Sequence, residues 1–195
     1  MTKPPLKSNI SNEELNELPL GMFTGKVVVV QETARIKKIL PELYDQEMLG
    51  FDTETKPVFV RGHSNKVALL QLALPEKVFL IRLQQTGMTD ELAEFLESAT
   101  IEKAGVAIRD DLVALKKLRS FNPGGFVEIT HLTKSVGLEA ESVKKLTGLL
   151  LGFRISKSAQ TSNWEAPTLT EKQIQYAATD AWVCLEIFRR LRALR

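Results

Sequence analysis

Apolar residues along this chain switch between two spacings, and the switches mark where its elements begin and end. Lys26-Val27-Val28-Val29-Val30, introduced by Gly25, is a β-branched run that predicts a buried or edge strand. From Thr33, Ile36, Ile39, Leu40 and Leu43 take helical spacing, with Pro41 expected to end or bend that helix. Residues 66–74 and 77–81 are apolar runs joined by Pro75-Glu76, which predicts an antiparallel hairpin. Residues 89–98 then read as an amphipathic helix with Leu92, Phe95 and Leu96 inward.

The second half alternates. A small-residue strand (103–108) leads into a helix (110–118), a turn at Pro123-Gly124-Gly125, another strand (126–129) and helical segments from about 132 to 151. Strand–helix–strand spacing of this kind implies parallel neighbours packed by crossover helices. After a polar stretch, Thr170 caps a last helix from 171 to about 192 whose core stripe is Ile174, Ala178, Ala181, Leu185 and Phe188. The pattern predicts an α/β fold: a mixed sheet with a hairpin at one end, parallel strands at the other, and helices on both faces. Residues 1–24 read as a tail with a short helix capped by Ser11 and Glu14, and 25–195 as one domain.

Composition narrows the picture mainly by exclusion. With 44% hydrophobic and 26% charged residues the chain is not a disordered one. A net charge of +2 is compatible with nucleic-acid binding without pointing to it, because acids gathered at one site count against a basic groove. Cys184 is the single cysteine, and His63 and His131 the only histidines, which excludes an intrachain disulfide, a thiolate zinc site and a His-rich zinc centre. No basic-then-apolar leader and no bilayer-length apolar stretch stand in the sequence, so a cytoplasmic protein without a membrane partner is expected.

The candidate chemistry begins at Leu49-Gly50-Phe51-Asp52-Thr53-Glu54-Thr55, a short strand. Side chains alternate across a strand, so Asp52 and Glu54 share one face, with Cα atoms roughly 7 Å apart, while Phe51 and Thr53 share the other. Two carboxylates so placed repel unless positive charge sits between them, and hard divalent cations suit an all-oxygen site. Solvated acids on an edge strand would read the same way in isolation. Asp180 weighs most against that reading, while Asp111, beside Asp110, reads equally as an ordinary first-turn acid and Tyr176 alone as a packing residue. Asp111 opens a helix just past a strand, and Asp180 lies inside an Ala-rich apolar helix where an unpaired carboxylate is costly. Tyr176 sits four residues before Asp180, on the same helix face.

Three segments together, Phe51-Asp52-Thr53-Glu54, Gly105-Val106-Ala107-Ile108-Arg109-Asp110-Asp111 and Tyr176-Ala177-Ala178-Thr179-Asp180-Ala181, resemble the motifs of the DEDDy class of 3′–5′ exonucleases, which have the RNase H-like fold. Lys66-Val67-Ala68-Leu69-Leu70-Gln71-Leu72, Pro57, Arg61-Gly62 and Ser162-Asn163-Trp164 extend the likeness toward the branch holding RNase D and the Werner-syndrome helicase exonuclease domain. The resemblance runs from about residue 25 to the end. It implies two Mg²⁺ or Mn²⁺ ions held by Asp52, Glu54, Asp111 and Asp180, with Tyr176 orienting the attacking water. It further implies removal of nucleoside 5′-monophosphates from the 3′ end of a single-stranded or 3′-ended nucleic acid. Thr53, Arg154, Lys157 and Trp164 are the candidate substrate contacts, Arg154 and Lys157 for backbone phosphates and Trp164 for stacking a base, a Trp so placed being about as often a packing residue. His63, in the connection after the acidic strand, reads as an exposed loop histidine ahead of a neighbour of the substrate. RNase D-type enzymes carry further helical domains after the nuclease and none follows here, so DNA is expected to be slightly favoured over RNA. The alternatives are RNase D-like 3′ RNA processing and an inactive nucleic-acid-binding domain of the same fold.

Overall fold

The computed structural model describes residues 7–58 and 65–194. The β-branched run Lys26–Val30 (β1) forms one edge of a six-stranded sheet. Proceeding across the sheet come Lys77–Arg82 (β4), Val67–Ala73 (β3), Met48–Thr55 (β2), Glu102–Gly105 (β5) and Phe126–Glu128 (β6). The predicted hairpin is present as the antiparallel pair β3–β4, and β3 also runs antiparallel to β2. All other neighbours, β1–β4, β2–β5 and β5–β6, are parallel. The acidic strand is therefore central, and β3 beside it is buried along its whole length, as expected of a strand covered on both faces.

Each face carries its own helices. On one, Thr33–Tyr44 (α2), the single turn Leu83–Thr86 (α3), Asp90–Glu97 (α4) and Ile108–Leu118 (α5) pack their Ile36, Leu43, Leu83, Leu92, Phe95 and Leu115 against Phe51, Leu70, Leu72 and Ile81 of the sheet. The other face is crossed by Glu171–Arg192 (α8), which lays Ala177, Ala178 and Ala181 over Leu69, Ala73, Val78 and Leu80. Its second half meets Val143–Leu151 (α7) and Ile129–Ser135 (α6) around Val183, Cys184, Ile187 and Phe188. Thr170 caps α8 as expected, in a reciprocal capping box with Gln173, and Ser11 with Glu14 does the same for the short helix Asn12–Glu17 (α1).

Two local expectations need correction. Pro41 does not end α2, which runs on to Tyr44. Leu40 and Leu43 are buried in the core and hold the last turn in place, while Pro41 itself faces solvent. The helical segments expected from about 132 to 151 begin earlier, at Ile129, and are two helices, interrupted where Gly137 takes φ +78° and restarted where the Ser142 side chain accepts from Lys145 N–H. Arg61, Gly62 and His63 lie outside the described residues.

Candidate active site

One glycine sets the distance between the two halves of the site. A Cβ at Gly50 would stand 1.9 Å from the Ala181 carbonyl oxygen, so α8 approaches β2 more closely than any side chain allows. Two residues along β2, Asp52 and Glu54 face the same helix, and Asp180 precedes Ala181 on it. Carboxylate oxygens of Asp52, Glu54 and Asp180 consequently lie within 4.8 Å of one another, although 126 positions separate Glu54 from Asp180. They line a cleft of about 330 Å³ together with Tyr176, Lys157, Lys144, Gln160, Ser142 and Val106.

Electrostatically the group is in conflict. Burial and then the charges of Asp180 and Asp111 push the Asp52 carboxyl well above the usual carboxylate range. Burial, Asp52, Asp180 and Asp111 push Glu54 up to about 10. Asp180 rises to about 6, raised by burial and held back by a hydrogen bond from Tyr176 and by the Lys157 charge. None of the ion pairs among the described residues engages these three acids. A set of all-oxygen donors crowded together with no cationic side chain bound to them suits hard divalent cations such as Mg²⁺ or Mn²⁺.

Asp111 stands at the margin of the group. It lies in the first turn of α5, and its Oδ1 accepts a 2.5 Å hydrogen bond from the Thr53 hydroxyl, which projects from the opposite side of β2 to Asp52. Burial raises its carboxyl and the Thr53 bond opposes that rise, while Asp52 and Glu54 both respond to its charge. The turn that delivers Asp111 is strained: Ala107, the residue capping α5, takes φ +59° and ψ +31°, the left-handed region. Tyr176 donates to Asp180 one helical turn on, and burial followed by the Asp180 charge raises its phenol far above the ordinary value.

The candidate substrate contacts divide. Lys157 and Thr53 line the cleft. Trp164 does not offer a face to a base: it is 0% exposed, packed among Leu69, Leu80 and Ala177, with its ring 6.0 Å from that of Tyr176. Its apolar surface fills the gap between the 163–167 loop and the sheet, a packing role that periodicity could not separate from stacking. Arg154 is likewise spoken for, since its Nε donates to the Leu18 carbonyl beside the Leu20–Arg154 bridge that ties the N-terminal segment down. Sequence reasoning missed Ser142, Lys144 and Gln160. The signal for the first two was the cap itself, because Ser142 at the start of α7 turns that helix end and Lys144 toward the acids.

Among the described residues no helix is long and apolar enough to cross a membrane. Residues 27–194 match the sequence profile of the 3′–5′ exonuclease family. The chain is 34% identical over 188 residues to the bifunctional 3′–5′ exonuclease/ATP-dependent helicase WRN of Mus musculus, a match covering 90% of this chain and 13% of that protein. The crystal structure of the Aedes aegypti Nibbler EXO domain superposes with a TM-score of 0.78 at 27% identity, covering 89% of this chain and 92% of that one. Escherichia coli RNase D, an exoribonuclease, shares the fold at TM-score 0.78 and 23% identity, over 87% of this chain and 45% of its own.

Proposed function

The chain belongs to the 3′–5′ exonuclease family, and from that premise we propose that it hydrolyses nucleic-acid phosphodiester bonds from the 3′ end, releasing nucleoside 5′-monophosphates. The observation supporting this reading is the convergence of Asp52, Glu54 and Asp180 within 4.8 Å with no cationic side chain paired to them. These three, with Asp111 as the fourth, are the residues that would hold two divalent cations. Bound there, such cations lower the pKa of water and offset the charge on the departing oxygen.

The protein's own groups divide the remaining work. Tyr176 keeps its proton, because burial and Asp180 hold the phenol so high, and it serves as a hydrogen-bond donor that orients the nucleophile. Lys157 and Lys144 at the cleft offer charge to backbone phosphates without reading bases. Val106 and Ile155 give the cleft an apolar wall. We take residues 25–195 as the nuclease domain, with DNA slightly favoured over RNA as the substrate.

Single-stranded and recessed-end DNA and RNA, each labelled at the 3′ or the 5′ end and incubated with or without Mn²⁺, test this reading. With Mn²⁺, 3′ label should appear as mononucleotide at once, and 5′ label as a ladder shortening by single steps. Internal cuts, or no degradation of any strand in Mn²⁺, would reject it.

A further inference from the structure

Directly across from Asp52 in the β2–β3 ladder stands Gln71. Opposed residues of an antiparallel pair project to the same face with Cβ atoms about 4.5–5.5 Å apart, so Gln71 lies beneath α8 beside the acid cluster. It is 0% exposed, and neither its Nε2 nor its Oε1 has a hydrogen-bond partner. A side-chain amide buried without partners is penalised, and an apolar residue of the same size would fill the space without that penalty. Its neighbours on this face are Leu69 and Ala73 along β3 and Leu80 across on β4, all apolar. Asp52 is the polar one. The Asp52 carboxylate has room for a donor: Oδ1 already accepts from Thr53 N–H at 2.9 Å, which leaves Oδ2 to be oriented.

We infer that Gln71 is a positioning residue for Asp52, its amide Nε2 donating to the carboxylate when Asp52 takes its place as a cation ligand. This rests on the reading of Asp52 as such a ligand. Carboxylates that bind metals are themselves held by hydrogen bonds that fix their orientation, and losing such a partner typically weakens metal binding about 10–100-fold. Gln71 has the burial, the register and the free donor for this role. The same amide is idle in a purely structural account of the core.

The test uses the full chain with Mn²⁺ alone as the probe, comparing wild type, Gln71→Leu, Gln71→Met and Asp52→Asn. Calorimetric titration gives Mn²⁺ affinity, and urea midpoints in chelator give metal-free stability. Both Gln71 variants should bind Mn²⁺ about 10–100-fold more weakly, with metal-free midpoints equal to or above wild type. On a labelled strand, kcat at fixed Mn²⁺ should fall while KM for the strand stays put. Wild-type Mn²⁺ affinity in either folded variant would overturn the inference, as would failure of both to fold, which would assign the amide to the core. If Asp52→Asn itself retains wild-type Mn²⁺ affinity, the ligand reading of Asp52 fails instead.

Discussion

The same sheet buries charge in two places, and the two are built on opposite principles. On β5, the Lys103 side chain is 0% exposed, yet its Nζ donates to the carbonyls of Ser98, Ile101 and Gly124 at 2.8–2.9 Å and stands over the rings of Phe95 and Phe126. Burial pulls its ammonium down to about 8, but every proton it carries has an acceptor. On β2, next in the sheet, three carboxylates share a cleft with the Tyr176 phenol and two lysines, Lys144 and Lys157, neither of which forms an ion pair with them. The polypeptide answers that charge only in part, through the Tyr176 hydrogen bond and the Lys157 charge at Asp180. A buried charge matched by fixed partners is tolerated by the fold that holds it, whereas one left unmatched keeps a place for something from outside. The contrast separates a structural ion from a site on grounds the chain itself supplies.

Substitution breaks the comparison most directly at its acidic end. Asp52→Ala should lower exonuclease turnover by roughly 10³-fold, while the metal-free protein unfolds at the same or a higher urea concentration, since a repelling carboxylate is gone. Lys103→Met should do the reverse. Leaving three buried carbonyls unpaired should lower stability by about 3 kcal/mol, read as a shift in urea midpoint, while turnover per folded molecule is unchanged. If both variants lose stability alike, the two sites do not differ in kind.

Tyr176→Phe removes the donor to Asp180 while keeping the ring. A fall of about 10²-fold in kcat with little change in KM is expected from single-turnover and steady-state kinetics. The pH dependence sharpens the contrast further. Glu54 titrates near 10 in the folded chain and near 4.5 when unfolded, so within that window the folded state binds a proton the unfolded state has lost. Metal-free stability therefore falls as pH rises from about 4.5 toward 10, and Asp52, Asp111 and Asp180, all raised, act with the same sign. Lys103 works the other way, and only between about 8 and 10.5, where the unfolded chain holds the extra proton. Melting curves between pH 5 and 8 in chelator thus report the carboxylates and not Lys103, and should drop by several degrees. Saturating Mn²⁺ should flatten the drop, because bound cations require the deprotonated ligands. The smallest effect is expected at Ala107. Replacing it with Gly relieves the left-handed backbone at the start of α5 and should raise stability by about 0.5–1 kcal/mol, without altering the Mn²⁺ requirement.

What the linear chain determined is what a single period can carry. Strand alternation put Asp52 and Glu54 on one face and Thr53 on the other, and the helical repeat put Tyr176 one turn before Asp180. The β-branched runs, the short Pro75-Glu76 link and the strand–helix–strand order likewise predict the hairpin and the parallel half of the sheet, because those signals are local. Periodicity gives a face but no depth and no distant partner. Only the folded chain decided that Trp164 lies beneath the 163–167 loop, that Arg154 is tied to Leu18, and that Asp111 turns to Thr53. It alone set Gly50 under Ala181, so that acids 126 positions apart, Glu54 and Asp180, come within one ion's reach. Those outcomes depend on how closely two elements pack, a property of the side chains between them that neither element carries by itself.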